Sequence, residues 1–209
     1  MLLLLLFFIF VFVPILQRGK MGAIFIKIIY SVMLLTGILS VGTQKKHFIV
    51  LSILAVIALF ANWLTEIEPG TPMLIAHDIG AIAFNVFFAL ALLKKTFGPG
   101  EITYHRIVGS IVVYLLMGLI FTYVFHAIYL YQGPSSFNNI IGTGLREFVY
   151  FSFTSLSTMG YGDITPVHPL ARSLANFEAL LGQLYPAILI ARLVSMEFEA
   201  ATHKRDSNQ

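Results

Sequence analysis

The sequence predicts an all-α membrane protein: six transmembrane helices, with a short re-entrant segment between the fifth and the sixth. Three observations predict it. Of 209 residues, 58% are hydrophobic and only 11% charged, and the mean hydropathy is +0.87. No soluble core needs that much apolar surface, so the bilayer is the solvent for most of the chain. The apolar residues fall into runs near the roughly 20 that a bilayer-crossing helix requires. Last, the stretch from Gln132 to Pro169 is too long for a simple turn and too mixed for a span. The formal charge of +3 reflects basic residues at helix ends and gives no support to nucleic-acid binding. The lack of cysteine removes disulfides, thiol catalysis and Cys-ligated metals.

The first run, Leu2 to Leu16, is short and carries Pro14. Its length also suits the apolar region of a signal peptide. It lacks a basic leader, and no small-x-small site precedes Gln17-Arg18-Gly19-Lys20, so it is read as a first span. Ala23 to Val41 follows, apolar apart from Lys27, which is close enough to the end to snorkel. Gln44-Lys45-Lys46-His47 breaks the run, and Phe48 to Leu64 forms the third span, with Trp63 at the interface. The acidic, turn-rich loop from Glu66 to Pro72 leads to Met73–Leu93, ended by Lys94-Lys95. A linker with Gly98-Pro99-Gly100 precedes Ile107–Tyr131, and the last span runs from Leu170 to Met196.

Six spans put both termini on one side. With both cytoplasmic, eight basic residues lie inside (Lys45, Lys46, Lys94, Lys95, Arg106, Arg192, Lys204, Arg205) and five outside (Arg18, Lys20, Lys27, Arg146, Arg172). The positive-inside rule therefore leans toward cytoplasmic termini in the cytoplasmic (plasma, inner) membrane. The domain reading is a four-helix scaffold over 1–95, a cytoplasmic linker at 96–106, a pore domain at 107–197 and a tail at 198–209, too short to fold.

The re-entrant segment opens with the turn-forming Gly133-Pro134-Ser135-Ser136-Phe137-Asn138-Asn139. Arg146 to Ser157 then reads as a short aromatic helix. About 12 helical residues rise only about 18 Å, so it cannot cross the bilayer. Its C-terminal end, partly negative, favours a cation waiting there. Thr158-Met159-Gly160-Tyr161-Gly162-Asp163 follows at membrane depth, where irregular backbone is tolerated only against protein or a water-filled cavity. Its glycines permit the positive φ needed to turn successive carbonyls one way, which a side-chained residue resists. Four such strands around an axis would give rings of oxygens that replace the hydration shell of K⁺. The alternative is a Gly-rich turn between two helices.

Phe148 through Pro166, Phe-Val-Tyr-Phe-Ser-Phe-Thr-Ser-Leu-Ser-Thr-Met-Gly-Tyr-Gly-Asp-Ile-Thr-Pro, resembles the pore helix and selectivity filter of the potassium-channel family. The likeness extends from about Tyr104 to Ser195, and the six-span layout is similar to small prokaryotic potassium channels without a regulatory domain. The resemblance implies a homotetramer in the lipid bilayer, with K⁺ as permeant ion and no cofactor. It implies that K⁺ is held by backbone oxygens of Thr158, Met159, Gly160 and Tyr161 and by the Thr158 hydroxyl, with Gly162 completing the filter and Asp163 the acidic residue just outside it. Met159 departs from the family, which most often has Val or Ile there. A flexible thioether in place of a stiff β-branched side chain would keep the carbonyl ring and loosen the packing behind it.

The family also places a glycine hinge on the inner helix 22 positions past the first filter glycine, and Gly182 stands there, with Pro186 one turn later. The alternative role for Gly182 is close helix packing. A stripe at helical spacing, Ala179, Gln183, Pro186 and Ile190, supplies candidates for a cavity wall at the gate. Glu178 lies on an adjacent face, and a structural hydrogen bond, with Arg172 or a pore-helix hydroxyl, is favoured over a direct conduction role.

A voltage sensor needs basic residues at every third position of one helix. The fourth span has His77 and Asp78 near one end and no basic residue before Lys94. Sensor-driven gating is not expected, and Asp78 is read as paired with a basic group or unpaired at the interface. His126 is read as a hydrogen-bonded packing histidine. The leading reading is passive K⁺ conduction. Its alternatives are a weakly selective cation channel and a non-conducting membrane assembly partner. No His-Glu-x-x-His or paired-carboxylate pattern argues for an enzyme, and no pair of related halves argues for a secondary transporter.

Overall fold

Apolar runs in lipid must satisfy their backbone groups internally, and helices do so within one segment. In the computed structural model, residues 20–41, 45–65, 70–98, 103–142 and 144–206 are described, and these runs are helices. They are α1 (Lys20–Val41), α2 (Lys45–Leu64), α3 (Thr71–Thr96), α4 (Tyr104–Gln132), α5 (Leu145–Leu156) and α6 (Pro169–Asp206). The expected first span, Leu2 to Leu16, lies outside the described residues. Among the described residues, three helices are long and apolar enough to cross a membrane: Thr71–Thr96, Tyr104–Gln132 and Pro169–Met196. The apolar parts of α1 and α2, Lys27–Leu39 and Phe48–Leu64, are shorter.

α4 is the central element. It packs along α3 on one side and against α5 and α6 on the other. Between α1, α2, α3 and α4 the core is mainly aliphatic with a few rings: Met33, Leu34, Leu51, Phe84, Phe88 and Leu116 are fully buried. Around α5 it becomes aromatic, with Phe121, Phe125, Phe137, Phe148 and Phe151 in one cluster. The Phe125 and Phe151 rings meet edge to face at 4.9 Å, a favoured arrangement of their quadrupoles.

Polar groups fasten the scaffold. The Lys27 ammonium does more than snorkel: it donates to the Asn62 carbonyl and the Thr65 hydroxyl, both at 3.0 Å, at the C-terminal end of α2. Asp78 is not unpaired. It is fully buried, with His126 Nδ1 of α4 at 2.7 Å and His77 Nδ1 at 3.2 Å. His126 is the hydrogen-bonded packing histidine expected, its ring also lying 5.3 Å from that of Phe148.

Two expectations need correction. The tail assigned to 198–209 is helical as far as Asp206, because no glycine or proline follows Pro186 and good helix formers continue the backbone. The fold also contains a small strand pair. β1 (Phe137–Asn138) pairs antiparallel with β2 (Thr165–Pro166), Phe137 opposite Pro166. This ladder joins the loops on either side of α5.

Candidate functional site

α5 is a half-helix of 12 residues, one residue displaced from the expected Arg146–Ser157. Phe148, Phe151, Ser152 and Leu156 face the body of the chain and are buried. The helix ends in a paired cap: Thr158 N–H donates to the Ser155 carbonyl at 2.9 Å and Met159 N–H to the Thr154 carbonyl at 2.8 Å. This is the Schellman arrangement, which needs a left-handed residue at its turning point, usually glycine. Here the residue is Thr158, with φ 57°. A β-branched residue in that region is strained, and such strain tends to sit at functional positions.

The left-handed conformation then recurs at every second residue. Gly160 has φ 52° and Gly162 φ 79°, while Met159 and Tyr161 stay negative. The glycines were expected there; a threonine in the same conformation was not. All six residues from Thr158 to Asp163 are exposed on the single chain. A Cβ built on Gly160 or Gly162 meets nothing within 4 Å, so backbone conformation rather than space calls for glycine there.

Two side chains absent from the site residues read in the sequence hold the outer end of this loop. Tyr150 donates to Asp163 Oδ2 and Asn139 Nδ2 donates to the Asp163 carbonyl, each at 2.7 Å. The Tyr150 bond, the largest influence, holds the Asp163 carboxyl below its ordinary range. The same bond pushes the phenol up to about 12. Tyr161 stacks parallel on Tyr150 at 6.4 Å. The sequence signal for Tyr150 was a phenol among phenylalanines, ten positions before Gly160.

Behind α5 the contacts are close. A Cβ on Gly182 would overlap the Leu156 carbonyl, so Gly182 sits where α6 crosses the end of α5. The Leu156 carbonyl also accepts from Tyr114 of α4 at 3.3 Å. α6 continues as helix through Pro186, and Tyr185 donates to the Ser110 carbonyl of α4 at 2.9 Å. The expected stripe diverges from Glu178. Gln183 and Ile190 are exposed, Ala179 and Pro186 half-buried, whereas Glu178 is fully buried against Ser152 of α5 at 2.5 Å. Of the two partners left open for it, the pore-helix hydroxyl is the one observed. Among the described residues no group of three His, Cys, Asp or Glu side chains is placed to hold a metal ion.

Residues 111–199, from the second turn of α4 through most of α6, match a protein-family model described as "Ion channel". Over that stretch the chain is similar to an ion-channel domain. Its long apolar helices mark a membrane protein. Protein LctB of Geobacillus stearothermophilus is 44% identical over 50 residues, and Protein LctB of Bacillus caldotenax 40% identical over 50 residues. Each match covers 24% of this chain and 37% of the relative, so the chain spans little more than a third of those proteins. No solved structure matches it significantly.

Proposed function

We propose that the protein is a potassium-selective channel, passing K⁺ down its gradient through a pore built by four copies of this chain. The observation that carries the reading is the alternation of left-handed φ at Thr158, Gly160 and Gly162, on exposed backbone at the end of a half-helix. Such alternation turns successive carbonyls toward one side, and a ring of four loops would present oxygens in layers that replace the water around K⁺. In this reading Thr158, Met159, Gly160 and Tyr161 hold the ion, with Gly162 and Asp163 at the outer mouth. One chain carries one filter segment, so a closed ring takes four. The exposed apolar side chains of α6, among them Phe177, Leu184 and Ile188, are then available to neighbouring copies or lipid.

Ala179, Gln183, Pro186 and Ile190 line the inner cavity in this reading, and Gly182 with Pro186 forms the gate region. Residues 1–95 serve as a scaffold without sensor arginines, 96–106 as a cytoplasmic linker and 107–197 as the pore domain, in a cytoplasmic membrane with both termini inside. The weakly selective cation channel is the second reading. It is favoured by Met159, a flexible residue that is 59% exposed on the single chain.

Bi-ionic reversal potentials of the reconstituted protein in K⁺ and Na⁺ separate the two. A strong K⁺ preference, abolished in Gly160→Ala, is expected. Equal K⁺ currents in wild type and Gly160→Ala would remove the loop from the pathway.

A further inference from the structure

Among the described residues, three features fall outside the proposed pore: an open apolar groove between α1 and α2, the buried Asp78 cluster, and a buried hydrogen-bonded chain behind α5. The third carries an inference. Ser152 Oγ lies 2.7 Å from the Gly118 carbonyl of α4 and 2.5 Å from Glu178 Oε1 of α6. Ser152 and Glu178 are both fully buried. A serine hydroxyl carries one proton, and the Gly118 carbonyl can only accept. Were that proton given to Glu178, Ser152 Oγ and the Gly118 oxygen would face each other at 2.7 Å with nothing between them. Were it given to Gly118 beside an ionised carboxylate, the shorter contact would join two acceptors. Both distances are satisfied only when Glu178 brings a proton of its own, in the order Glu178 O–H to Ser152 Oγ–H to Gly118 O=C. The 2.5 Å separation belongs to the short end of O–H···O bonds.

The surroundings agree. Glu178 Oε2 is buried with no hydrogen-bond partner, and among the described residues no ion pair reaches this carboxyl. An ionised carboxylate so placed would carry a large desolvation cost; a neutral acid leaves one carbonyl oxygen unpaired, which costs far less. Glu178 also sits one turn before Gly182, whose close approach to Leu156 fixes the end of the same helix. The chain of bonds therefore joins α4, α5 and α6 two turns upstream of the loop.

We propose that Glu178 is a positioning residue for the filter, held as a neutral carboxylic acid that donates to Ser152 and so fixes the rotation of α5 between α4 and α6. It touches no ion. This inference rests on the K⁺-channel reading for its consequence, and not for the protonation itself.

The test has two arms on the full-length protein. The infrared difference spectrum between wild type and Glu178→Gln at neutral pH should contain the carbonyl stretch of a protonated carboxylic acid. Only ionised-carboxylate bands there would overturn the proposal, whatever the protein conducts. In bi-ionic measurements Glu178→Gln should keep the wild-type K⁺/Na⁺ permeability ratio, because the amide N–H₂ still donates to Ser152. Glu178→Ala and Ser152→Ala should each lower it by about tenfold, the scale of one lost buried hydrogen bond. A ratio lost equally in Glu178→Gln, or unchanged in both alanine variants, would overturn the positioning role. If Glu178→Ala does not assemble, Ser152→Ala and Glu178→Gln decide it. A wild type that does not prefer K⁺ would instead sink the K⁺ reading, leaving the infrared result to stand.

Discussion

The half-helix α5 is held very differently at its back and at its front. At the back, Gly118 and Gly182 let neighbouring helices approach so closely that an added methyl would strike Phe153 or the Leu156 backbone. Ser152 and Tyr114 add hydrogen bonds on the same side. At the front, the loop from Thr158 to Asp163 is exposed, and a Cβ added to Gly160 or Gly162 would meet nothing within 4 Å. Within the chain, Tyr150 and Asn139 hold Asp163, and Tyr161 stacks on Tyr150. The back is complete in one chain; in the proposed channel, ions and other copies would complete the front.

The back glycines give the sharpest way to break this contrast, because they differ in what a methyl would meet. At Gly182 the obstacle is backbone, which cannot swing aside. Gly182→Ala should cost about 3 kcal/mol, the upper range for overpacking, and lower the thermal midpoint of the detergent-solubilised protein. At Gly118 the obstacle is the far edge of the Phe153 ring, 2.6–2.9 Å from the built Cβ. Gly118→Ala should therefore cost less, about 1–2 kcal/mol, and be rescued by Phe153→Leu. Equal losses in the two variants, or no loss at Gly182, would mean that space is not what these glycines provide.

This asymmetry also explains what the sequence disclosed. The Thr158–Asp163 motif is local, so its glycine conformations and the half-helix before it were legible from consecutive residues. Glu178 was legible as a choice between two partners, since a carboxyl amid an apolar run needs one. Gly182 was legible as a choice between a hinge and close helix packing, but the backbone it packs against was not. Its contact with Leu156 depends on how two helices cross, 26 positions apart in the chain. The left-handed Thr158 was hidden for another reason: intrinsic preference argues against it, and only the cap geometry imposes it. The burial of Asp78 also escaped, because its partner His126 lies 48 positions away on another helix.

A smaller effect should come from the outer end of the loop, where Tyr150 donates to Asp163. The folded carboxyl titrates below its ordinary range. Its contribution is therefore complete above the ordinary aspartate pKa and is lost as pH falls through the lowered value. Tyr150→Phe removes the main cause of that depression, so the acid limb of external pH against K⁺ flux should move to higher pH. An unchanged acid limb would mean that the front of the loop is held by contacts between copies alone, making the contrast with the back sharper still.

The smallest effect expected is at Thr158, where front and back meet. Its left-handed φ costs a side-chained residue about 1–2 kcal/mol, and glycine would relieve this while giving back about 0.5–1 kcal/mol in chain entropy. Thr158→Gly should thus stabilise the α5 cap slightly, by about 0.5–1 kcal/mol in thermal unfolding, while removing the hydroxyl assigned to K⁺. Thr158→Ser keeps the hydroxyl and removes the β-branch. The expected pattern is a more stable, less selective glycine variant beside a serine variant of near wild-type selectivity. That pattern would mean the strained threonine is retained for its oxygen, at the expense of the cap. A glycine variant that is less stable would mean instead that Thr158 is braced by contacts between copies, and that the front of α5 is packed as firmly as its back once the ring is closed.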